Sequence, residues 1–389
     1  MIFLLSFTFL LFFAYAVLFL YYRYGWSLIV EKKVGEKNRR VTPVSVVIPF
    51  RNEAHNLPKL LECLSVQHYP SSLFEIILVD DHSEDGGASL IQQINHPNIR
   101  CVFLEEHLTS TPTTAYKKRA IEAGIRMSKG ELIITTDADC TMGSHWISTI
   151  VDHYEKTNAA FMVMPVLLKP DQTVCGLFQS LDFMTMQGIT AASNALRFHH
   201  MCNGANLAYT RCAFDEVDGF KGIDHIASGD DLLLMNKIAE RHPSKIVYLK
   251  NKDVIVSTSP ASGWRAFLQQ RIRWASKAGH YQDKKMLPIL LLVYMFNLML
   301  FLLICLLVFS LFSNILDNHK RLLLIFVPSV FFLKTVLELV LLYPVSHFFS
   351  QRKLLFAFPL LQPFHVSYVV IAGWLGKFGT YVWKGRTLR

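Results

Sequence analysis

The chain has 389 residues, of which 52% are hydrophobic and 18% are charged, and its mean hydropathy is +0.30. Soluble globular domains carry about 25% charged residues, so this chain is too apolar to be wholly exposed to water. The same composition excludes disordered, collagen-like and coiled-coil proteins. The length alone predicts about two or three domains, but the apolar residues are concentrated near the two ends of the chain.

The amino-terminal apolar segment covers residues 1–22, which carry no charge. At about 1.5 Å per residue, a helix of this length crosses the hydrocarbon core of a bilayer, so we predict a transmembrane anchor. A cleaved signal peptide is the alternative, because Ala14-Tyr15-Ala16 resembles a cleavage site, but the usual positively charged start is missing. The predicted basic linker, residues 23–40, contains Arg23, Lys32, Lys33, Lys37, Arg39 and Arg40. By the positive-inside rule, this linker places the amino terminus outside and the next domain in the cytoplasm.

The carboxyl-terminal region, residues 286–389, is the second apolar part of the chain. Its apolar segments are residues 286–316, residues 322–349 and residues 354–383. The third segment is divided by Pro359, Pro363 and Gly373. The sequence therefore predicts two or three spans here and leaves the side of the carboxyl terminus open.

The second of these segments contains two opposite charges, Lys334 and Glu338. They are four residues apart, so they lie on one face of a helix and can neutralise each other in the membrane. A structural pair between helices is one interpretation. The alternative is part of an ion pathway.

Seven cysteines are scattered through the chain without a C-x-x-C pair or a zinc-ligand spacing. They are Cys63, Cys101, Cys140, Cys175, Cys202, Cys212 and Cys305. An odd number without a framework predicts reduced thiols in a protein that faces the cytosol.

The intervening residues, 41–260, have ordinary polarity and alternate short β-rich runs with helical patterns. Predicted strands cover residues 44–48, 75–79, 100–103 and 131–135. Predicted helices follow two apolar patterns with helical spacing, Leu57, Leu60, Leu61 and Leu64, and then Trp146, Ile147, Ile150, Val151 and Tyr154. The alternation predicts an α/β domain with a mostly parallel sheet and helices on both faces.

Polar side chains follow three of these strands, at the edge where such sheets bind ligands. They are Arg51, Asn52 and Glu53 after the first strand, Asp80 and Asp81 after the second, and Asp137 and Asp139 after the last. Mg²⁺ and Mn²⁺ take one or two protein carboxylates and complete their shell with phosphate oxygens and water. We therefore predict that Asp137 and Asp139 hold a divalent cation and a nucleotide diphosphate, with a solvated turn as the alternative.

Three further pairs of residues are candidates for ligand contacts: Asp80 with Asp81, Lys117 with Lys118, and Asp230 with Asp231. The first pair can accept hydrogen bonds from a uracil or a ribose, although Asp81 can also cap a helix. The two lysines can reach phosphates, or they can lie on a solvated helix face. The last pair opens a predicted helix, where a carboxylate can act as a general base or as a cap.

An amphipathic helix with two distinct faces is predicted within residues 261–285. Its apolar stripe is Trp264, Phe267, Leu268, Ile272 and Ala275, and its polar face carries Gln270, Arg273, Trp274 and Lys277. Such a helix lies well in an anionic membrane interface. Much of the formal charge of +9 comes from this segment and from residues 23–40. We attribute that charge to membrane orientation and phosphate binding, and we expect no nucleic-acid partner.

Six ordered motifs now carry a resemblance to a known family. They are residues 43–53 (PVSVVIPFRNE), 79–83 (VDDHS), 136–140 (TDADC), 202–206 (CNGAN), 229–231 (GDD) and 270–274 (QRIRW). In this order they resemble the membrane-bound family 2 glycosyltransferases, a group that includes the cellulose, chitin and hyaluronan synthases and the ceramide glucosyltransferases. The resemblance covers roughly residues 41–285.

The resemblance implies a Rossmann-like GT-A domain with transmembrane helices at both ends, and a role for each matching residue. It implies donor binding by Pro49, Asn52, Glu53, Asp80, Asp81, Lys117, Lys118, Asp137, Asp139, Gln270, Arg271 and Arg273, and acceptor binding by Asn203, Gly204 and Trp274. Asp81 contacts the nucleoside, Lys118 the diphosphate, and Asp137 and Asp139 the donor and the metal. The catalytic base is Asp231, or Asp230, which stands where the family often has Glu.

Three positions depart from the pattern of the family. His82 replaces a common Gly, Tyr116 stands where a Gly often precedes the lysines, and Gly229 replaces a frequent Thr. None of these changes removes a chemical group that the reaction needs.

The sequence thus predicts a multi-pass membrane enzyme with a cytoplasmic catalytic domain. We expect an inverting, Mg²⁺- or Mn²⁺-dependent transfer of sugar from a nucleotide diphosphate sugar, with UDP as the expected nucleotide, to a lipid or lipid-linked saccharide. Membrane lipids are the other expected partners. A short-chain processive polysaccharide synthase is one alternative. A non-catalytic protein that binds nucleotide sugar, or a small transporter, is an alternative of a different class.

Overall fold

The computed structural model describes residues 1–31, 41–93, 96–107, 115–277, 283–312, 317–378, 381–383 and 386–388. In the first half of the chain the elements are α1 (Ile2–Leu28), β1 (Val44–Phe50), α2 (Leu57–Ser65), β2 (Phe74–Asp80), α3 (Gly87–Gln92), β3 (Ile99–Phe103), α4 (Tyr116–Met127), β4 (Leu132–Thr135), α5 (Trp146–Thr157), β5 (Phe161–Val163), β6 (Val166–Leu168) and α6 (Val174–Leu196). Single 3₁₀ turns occupy Ser71–Leu73 and Leu104–His107.

In the second half of the chain, further elements of the α/β domain are followed by long apolar helices and then by two short strands. Its elements are β7 (Leu207–Thr210), α7 (Arg211–Glu216), α8 (Leu232–Arg241), β8 (Ile246–Tyr248), β9 (Val256–Thr258), α9 (Gly263–Ala275), α10 (Met286–Phe312), α11 (Asp317–Phe348), α12 (Phe358–Phe378), β10 (Tyr381–Trp383) and β11 (Arg386–Leu388). Two further 3₁₀ turns lie at Lys252–Val254 and Arg352–Ala357.

A seven-stranded sheet with the order β3-β2-β1-β4-β7-β5-β8 forms the centre of the α/β domain. Strand β1 pairs in parallel with β2 and β4, and β2 pairs in parallel with β3. Strand β7 is antiparallel to both of its neighbours, β4 and β5. The predicted mostly parallel α/β sheet is therefore confirmed, and one antiparallel strand joins its two parallel parts.

Both faces of the sheet are covered, as the continuous apolar sequence of β1 requires. Val46 packs with the buried leucines of α2, including Leu60, on one face. Val47 packs with α4, including Ile121, on the other face. Because β1, β2 and β4 run parallel to one another, their carboxyl ends lie at the same edge of the sheet.

Helix α6 was not predicted, although its 23 residues make it one of the longest elements of the α/β domain. Most of its residues are buried, on every side of the helix. A helix that is buried all round lacks the alternation of apolar and polar faces by which a helix is detected in a sequence.

Close packing fixes α6 between the membrane-type helices α1 and α11. A Cβ on Gly25 of α1 would lie 2.8 Å from the carbonyl oxygen of Ala192, and one on Gly188 would lie 2.7 Å from a methyl carbon of Val345 in α11. Only glycine permits these approaches. The α/β domain therefore packs on the long apolar helices through α6.

Within the described parts of the chain, four helices are long and apolar enough to cross a membrane. They cover Ile2–Leu28, Met286–Phe312, His319–Phe348 and Arg352–Lys377. Helix α12 continues through Pro363, so Phe358–Phe378 of the third carboxyl-terminal segment form one helix.

Helix α1 extends past the predicted end of the anchor at residue 22. Its last turn contains Trp26, which is buried and lies under the ammonium group of Lys250 at 4.3 Å from the ring centroid. The first residues of the predicted linker are thus helical. Its basic residues 32–40 lie outside the described residues.

The charged pair in α11 belongs to a hydrogen-bonded cluster that joins three helices. The Lys334 ammonium donates to Glu338 Oε1 at 2.7 Å and to Gln362 Oε1 of α12 at 2.7 Å. Glu338 also accepts hydrogen bonds from Tyr15 of α1 and from Gln362. Because these buried groups satisfy one another, the geometry supports the structural interpretation of the pair.

Helix α9 confirms the predicted amphipathic helix but packs on protein. Phe267 and Ile272 of its apolar stripe are buried, and Phe267 contacts Tyr368 of α12 with ring centroids 5.2 Å apart. Trp264, at the start of the helix, remains 41% exposed. The apolar stripe therefore attaches α9 to α12, whereas the expectation was a stripe facing lipid.

We predict that Glu338→Gln destabilises the protein strongly, because it leaves the Lys334 ammonium buried without a counter-charge. Breaking a buried ion pair costs about 3–5 kcal/mol, whereas replacing both partners by apolar groups is often neutral. The double variant Lys334→Met/Glu338→Leu should therefore recover most of the unfolding temperature of the purified protein in detergent.

The matched control is Glu122→Gln, which breaks a pair with Arg126 at the same i,i+4 spacing on the surface of α4. Exposed pairs contribute about 0–1 kcal/mol, so this variant should unfold near the wild-type temperature. Equal unfolding temperatures for Glu338→Gln and Glu122→Gln would contradict the prediction.

Candidate active site

A cleft of about 900 Å³ opens at the carboxyl ends of β1, β2 and β4. It is closed by the segment before β7, by the start of α8 and by one face of α9. Of the predicted site residues, it brings together Pro49, Glu53, Asp81, Lys117, Asp137, Asp139, Asn203, Gly204, Asp230, Asp231, Gln270, Arg273 and Trp274. The cleft lining does not include Asn52, Asp80, Lys118 or Arg271.

Lys117 joins the two acidic groups of the cleft. Its ammonium lies 2.8 Å from Asp137 Oδ1 and 3.1 Å from Asp230 Oδ2. Burial by itself would lower the pKa of Lys117, but the two carboxylates outweigh burial and hold the pKa well above its ordinary value. Lys117 therefore stays positively charged in the cleft.

Asp139 lies close to Asp137, just after β4, and a hydrogen bond from a distant part of the chain orients its carboxylate. The hydroxyl of Thr258, at the end of β9, donates to Asp139 Oδ2 at 2.9 Å. Burial raises the pKa of the Asp139 carboxyl, and the negative charge of Asp137 raises it further. This end of the cleft thus concentrates negative charge.

Asp230 and Asp231 are adjacent in sequence but have different partners. Burial would raise the pKa of Asp230, but the charges of Lys117 and Lys277 lower it below its ordinary value. Asp231 is the N-cap of α8, where Oδ1 accepts from the backbone N–H of Leu232 at 2.7 Å. Its Oδ2 accepts from the N–H of Gly204 at 3.0 Å.

The ends of β1 and β2 are joined by contacts around Asp81. Arg51 donates to the Asp81 carbonyl oxygen at 3.1 Å, and His82 Nδ1 lies 3.0 Å from Asp81 Oδ1. Asn52 and Asp80 shape this turn instead of lining the cleft. The side chain of Asn52 accepts from the N–H of Glu84, and that of Asp80 accepts from the N–H of Ser83.

The resemblance implied that Lys118 contacts the diphosphate, but Lys118 does not line the cleft. Its ammonium is buried on the other side of α4, where it donates to the carbonyl oxygens of Ile223 at 2.7 Å and Ile226 at 2.9 Å. Desolvation lowers the pKa of Lys118 to about 8. Consecutive residues of a helix do not share a face, so only Lys117 reaches the cleft.

Arg271 is the second residue that the structure directs away from the cleft. Its guanidinium is buried and donates from Nη2 to Asp182 Oδ2 of α6 at 2.7 Å. Gln270, Arg273 and Trp274 of the same motif do line the cleft. Arg271 thus contacts Asp182 and does not line the cleft, and the donor contact that the resemblance implied for it stays a prediction.

Several cleft residues were not among the predicted site residues. They include Thr258, Arg265, Gln269, Lys277 and Met286. Arg265 and Gln269 share a face of α9 with Arg273 at i,i+4 spacing, and Lys277 continues this spacing just beyond the end of the helix at Ala275. This spacing could have predicted from the sequence that these residues lie on the same side as Arg273. Thr258 and Met286 reach the cleft only through the tertiary fold.

The departures from the family pattern have local explanations. His82 has a φ of 57° and Gly229 has a φ of 80°, both in the left-handed region. This conformation explains a common glycine at position 82, and histidine is among the residues that tolerate it. The His82 ring also packs against Tyr116, with centroids 5.8 Å apart.

We predict that Lys118→Met loosens the segment before Asp230, residues 217–229, because two buried carbonyl oxygens lose their donor. Each unsatisfied buried polar group costs about 1–3 kcal/mol. Trypsin should then cleave faster after Lys221, as followed by mass spectrometry of the purified protein. Lys117→Met, which removes only contacts to carboxylates of the cleft, should keep this segment protected. Equal cleavage rates in Lys118→Met and wild type would contradict the assignment.

Comparison with known proteins identifies relatives for this architecture. The profile of Glycosyl transferase family 21 matches residues 8–389. Glycosyltransferase AglE of Haloferax volcanii is 33% identical over 106 residues, which are 27% of this chain and 33% of that protein. The undecaprenyl-phosphate 4-deoxy-4-formamido-L-arabinose transferase of Pseudomonas fluorescens is 32% identical over 122 residues, 29% of this chain and 32% of that protein. The matched segments thus span about a third of the length of these two curated relatives.

Among solved structures, the mannosyltransferase PcManGT from Pyrobaculum calidifontis, in complex with GDP-Man and Mn²⁺, superimposes with a TM-score of 0.52. The two chains are 18% identical, and the match covers 93% of this chain and 99% of the other. At this identity the likeness concerns the fold, and it agrees with the predicted GT-A architecture. The resemblance to glycosyltransferases is confirmed, and the profile identifies family 21 within it. Because that profile matches nearly the whole chain, the protein is a glycosyltransferase that belongs to glycosyl transferase family 21.

Proposed function

We propose that this enzyme transfers a sugar from a nucleotide diphosphate sugar to a lipid or lipid-linked saccharide at the membrane surface, with inversion at the anomeric carbon. One observation carries the proposal. The same cleft contains the carboxylates of Asp137 and Asp139 and also Met286, the first residue of the long apolar helix α10. A water-soluble donor and an amphiphilic acceptor can therefore meet in one cavity.

The donor end of the cleft has the polar groups that a nucleotide diphosphate requires. Asp81 offers hydrogen-bond acceptors for a nucleoside, and a uridine nucleotide is the donor we favour. Lys117, Arg273 and Lys277 supply positive charge for the diphosphate. Gln270 lies on the same face of α9 as Arg273 and adds a neutral donor and acceptor.

The residues present fit a divalent cation, Mg²⁺ or Mn²⁺, as the cofactor. Among the described residues, no group of three or more His, Cys, Asp or Glu side chains forms a complete protein cage. Asp137 and Asp139 would instead hold the ion with one or two carboxylates, and phosphate oxygens would complete the shell, as is usual for Mg²⁺. When bound, the ion supplies charge stabilisation to the leaving diphosphate.

Asp231 is the group best placed to act as the base. Its two hydrogen bonds to backbone N–H groups fix the orientation of the carboxylate, while Asp230 is held in an ion pair with Lys117. Asp231 would take the proton of the acceptor hydroxyl, whose oxygen then attacks the anomeric carbon. The bond from that carbon to the diphosphate oxygen breaks on the opposite side, which inverts the configuration.

The acceptor end of the cleft has an apolar wall that suits a lipid. Methionine side chains adapt to flexible apolar ligands, and Met186, Met201 and Met286 line this end together with Phe183. Trp274 offers a ring on which a sugar can stack. The Pseudomonas fluorescens relative, whose name includes undecaprenyl phosphate, points to the same class of lipid acceptors.

The test is the incorporation of radiolabelled sugar from a panel of nucleotide sugars into membrane lipid. We expect Asp231→Asn to lower incorporation about 100-fold or more, because a general base contributes about 10²–10⁴-fold. Asp139→Ala should abolish the stimulation by added Mn²⁺ or Mg²⁺. The exposed Asp253→Asn is the matched control and should behave as wild type. Full incorporation by the Asp139 and Asp231 variants would contradict the assignment.

A companion variant distinguishes the two adjacent carboxylates. Asp230→Asn removes one of the two ion-pair partners of Lys117, so it should raise the KM for the nucleotide sugar more than it lowers kcat. Asp231→Asn should lower kcat with a smaller change in that KM. The reverse pattern would identify Asp230 as the base.

We also propose that the protein is an integral membrane protein with its catalytic domain in the cytoplasm, where nucleotide sugars are available. Cys212 lies on the exposed surface of α7 and tests this orientation. A membrane-impermeant maleimide should label it only after the cells are permeabilised. Cys212→Ser is the control that identifies the signal. Labelling of Cys212 in intact cells would place the domain on the other side.

A further inference from the structure

A buried ion pair outside the cleft, Asp182 of α6 with Arg271 of α9, has no role in the chemistry described so far. Both side chains are only 4% exposed, and Nη2 lies 2.7 Å from Oδ2. Burying two charges is costly unless their geometry satisfies them, and an apolar pair of similar size is often at least as stable. Stability alone is therefore a weak reason for this pair.

The face of the Arg271 guanidinium is in contact with aromatic rings, one of which belongs to the cleft. Its carbon Cζ lies 4.3 Å from the ring centroid of Trp274 and 4.8 Å from that of Phe267. Of these two rings, only Trp274 also lines the cleft. A planar guanidinium held by a carboxylate is suited to fix the plane of a stacked ring.

The carboxylate of Asp182 is in turn fixed by a helix of the membrane-type bundle. Tyr368 of α12 donates to Asp182 Oδ1 at 2.6 Å, and His365 Nε2 lies 3.9 Å from the same atom. The other ring nitrogen of His365 is 3.4 Å from the ammonium of Lys334. Polar contacts thus run continuously from the buried cluster of α11 and α12 to the ring of Trp274.

We infer that Asp182 and Arg271 are positioning residues, which hold the Trp274 ring at the acceptor end of the cleft and tie its position to the membrane-type helices. This inference rests on the proposed function for the identity of the acceptor. It assigns to the first arginine of the QRIRW segment a role in orienting the acceptor platform, distinct from the donor contacts proposed for Gln270 and Arg273.

Arg271→Lys is the sharpest single variant. Lysine keeps a positive charge for Asp182 but lacks the planar group that lies against Trp274. We expect the KM for the acceptor to rise about tenfold, because an ammonium lacks the flat guanidinium face that lies against the ring and holds its plane. The KM for the nucleotide sugar and the unfolding temperature should stay close to wild type. Arg126→Lys, in the exposed pair with Glu122, is the matched control. An unchanged acceptor KM in Arg271→Lys would overturn the inference.

A double variant separates positioning from mere stability. Asp182→Asn alone leaves the Arg271 charge uncompensated and should lower both the unfolding temperature and the activity. Asp182→Asn/Arg271→Met removes both charges and should recover the unfolding temperature without recovering the acceptor KM. Recovery of both quantities together would show a purely structural pair and overturn the inference.

The fluorescence of Trp274 provides a readout that does not depend on the acceptor. The difference between the spectra of each protein and its Trp274→Phe counterpart isolates the emission of this ring. Arg271→Lys should shift that emission, and Arg126→Lys should not. A shift without any transfer to lipid would retain the positioning role and reject the proposed function. An unshifted emission in Arg271→Lys would reject the positioning role.

Discussion

The buried carboxylate of Asp182 connects the two parts of this protein, the α/β domain and the long apolar helices. Helix α6 carries it between the catalytic sheet and the long apolar helices, close enough for Gly25 and Gly188 to be required at the contacts. In this low-dielectric environment the charge needs partners, and Arg271 of α9 and Tyr368 of α12 provide them. The cleft-facing helix α9 is therefore held by the same group that receives a hydrogen bond from the membrane-type bundle.

Two pairs of like-charged residues, one or two positions apart on a helix, have different roles at the site, because a helix points such residues in different directions. Lys117 enters the cleft while Lys118 binds the carbonyl oxygens of a supporting segment. Arg273 lines the cleft while Arg271 pairs with Asp182. In each pair, one residue contacts the cleft and the other holds the protein around it. With few residues, this arrangement places charges in the cleft and also fixes the protein segments that surround it.

The cleft is lined both by charged side chains, such as Asp137 and Asp139, and by apolar ones, such as Met186, Met201 and Met286. This arrangement follows from the position of α10, whose first residue, Met286, reaches the lining. A polar donor and an apolar acceptor do not share a solvent, so an enzyme that joins them benefits from a cavity at the boundary between water and membrane. The proposed chemistry and the proposed location therefore depend on the same structural feature.

The sequence by itself determined the elements that local patterns encode: the strands β1 to β4, helices α2 and α5, the apolar segments at both ends, and the acidic residues that follow the strands. Periodicity and strand-end position suffice for these, because they depend on neighbours in the chain. Only the tertiary structure decided the antiparallel insertion of β7, the existence of α6, and the directions of Lys118 and Arg271. These depend on partners that are distant in the chain: Ile223, which holds Lys118, is 105 residues away, and Asp182, which holds Arg271, is 89 residues away. The local sequence at residues 117–118 and 270–274 does not show which side chains will face the cleft and which will be buried against the rest of the protein.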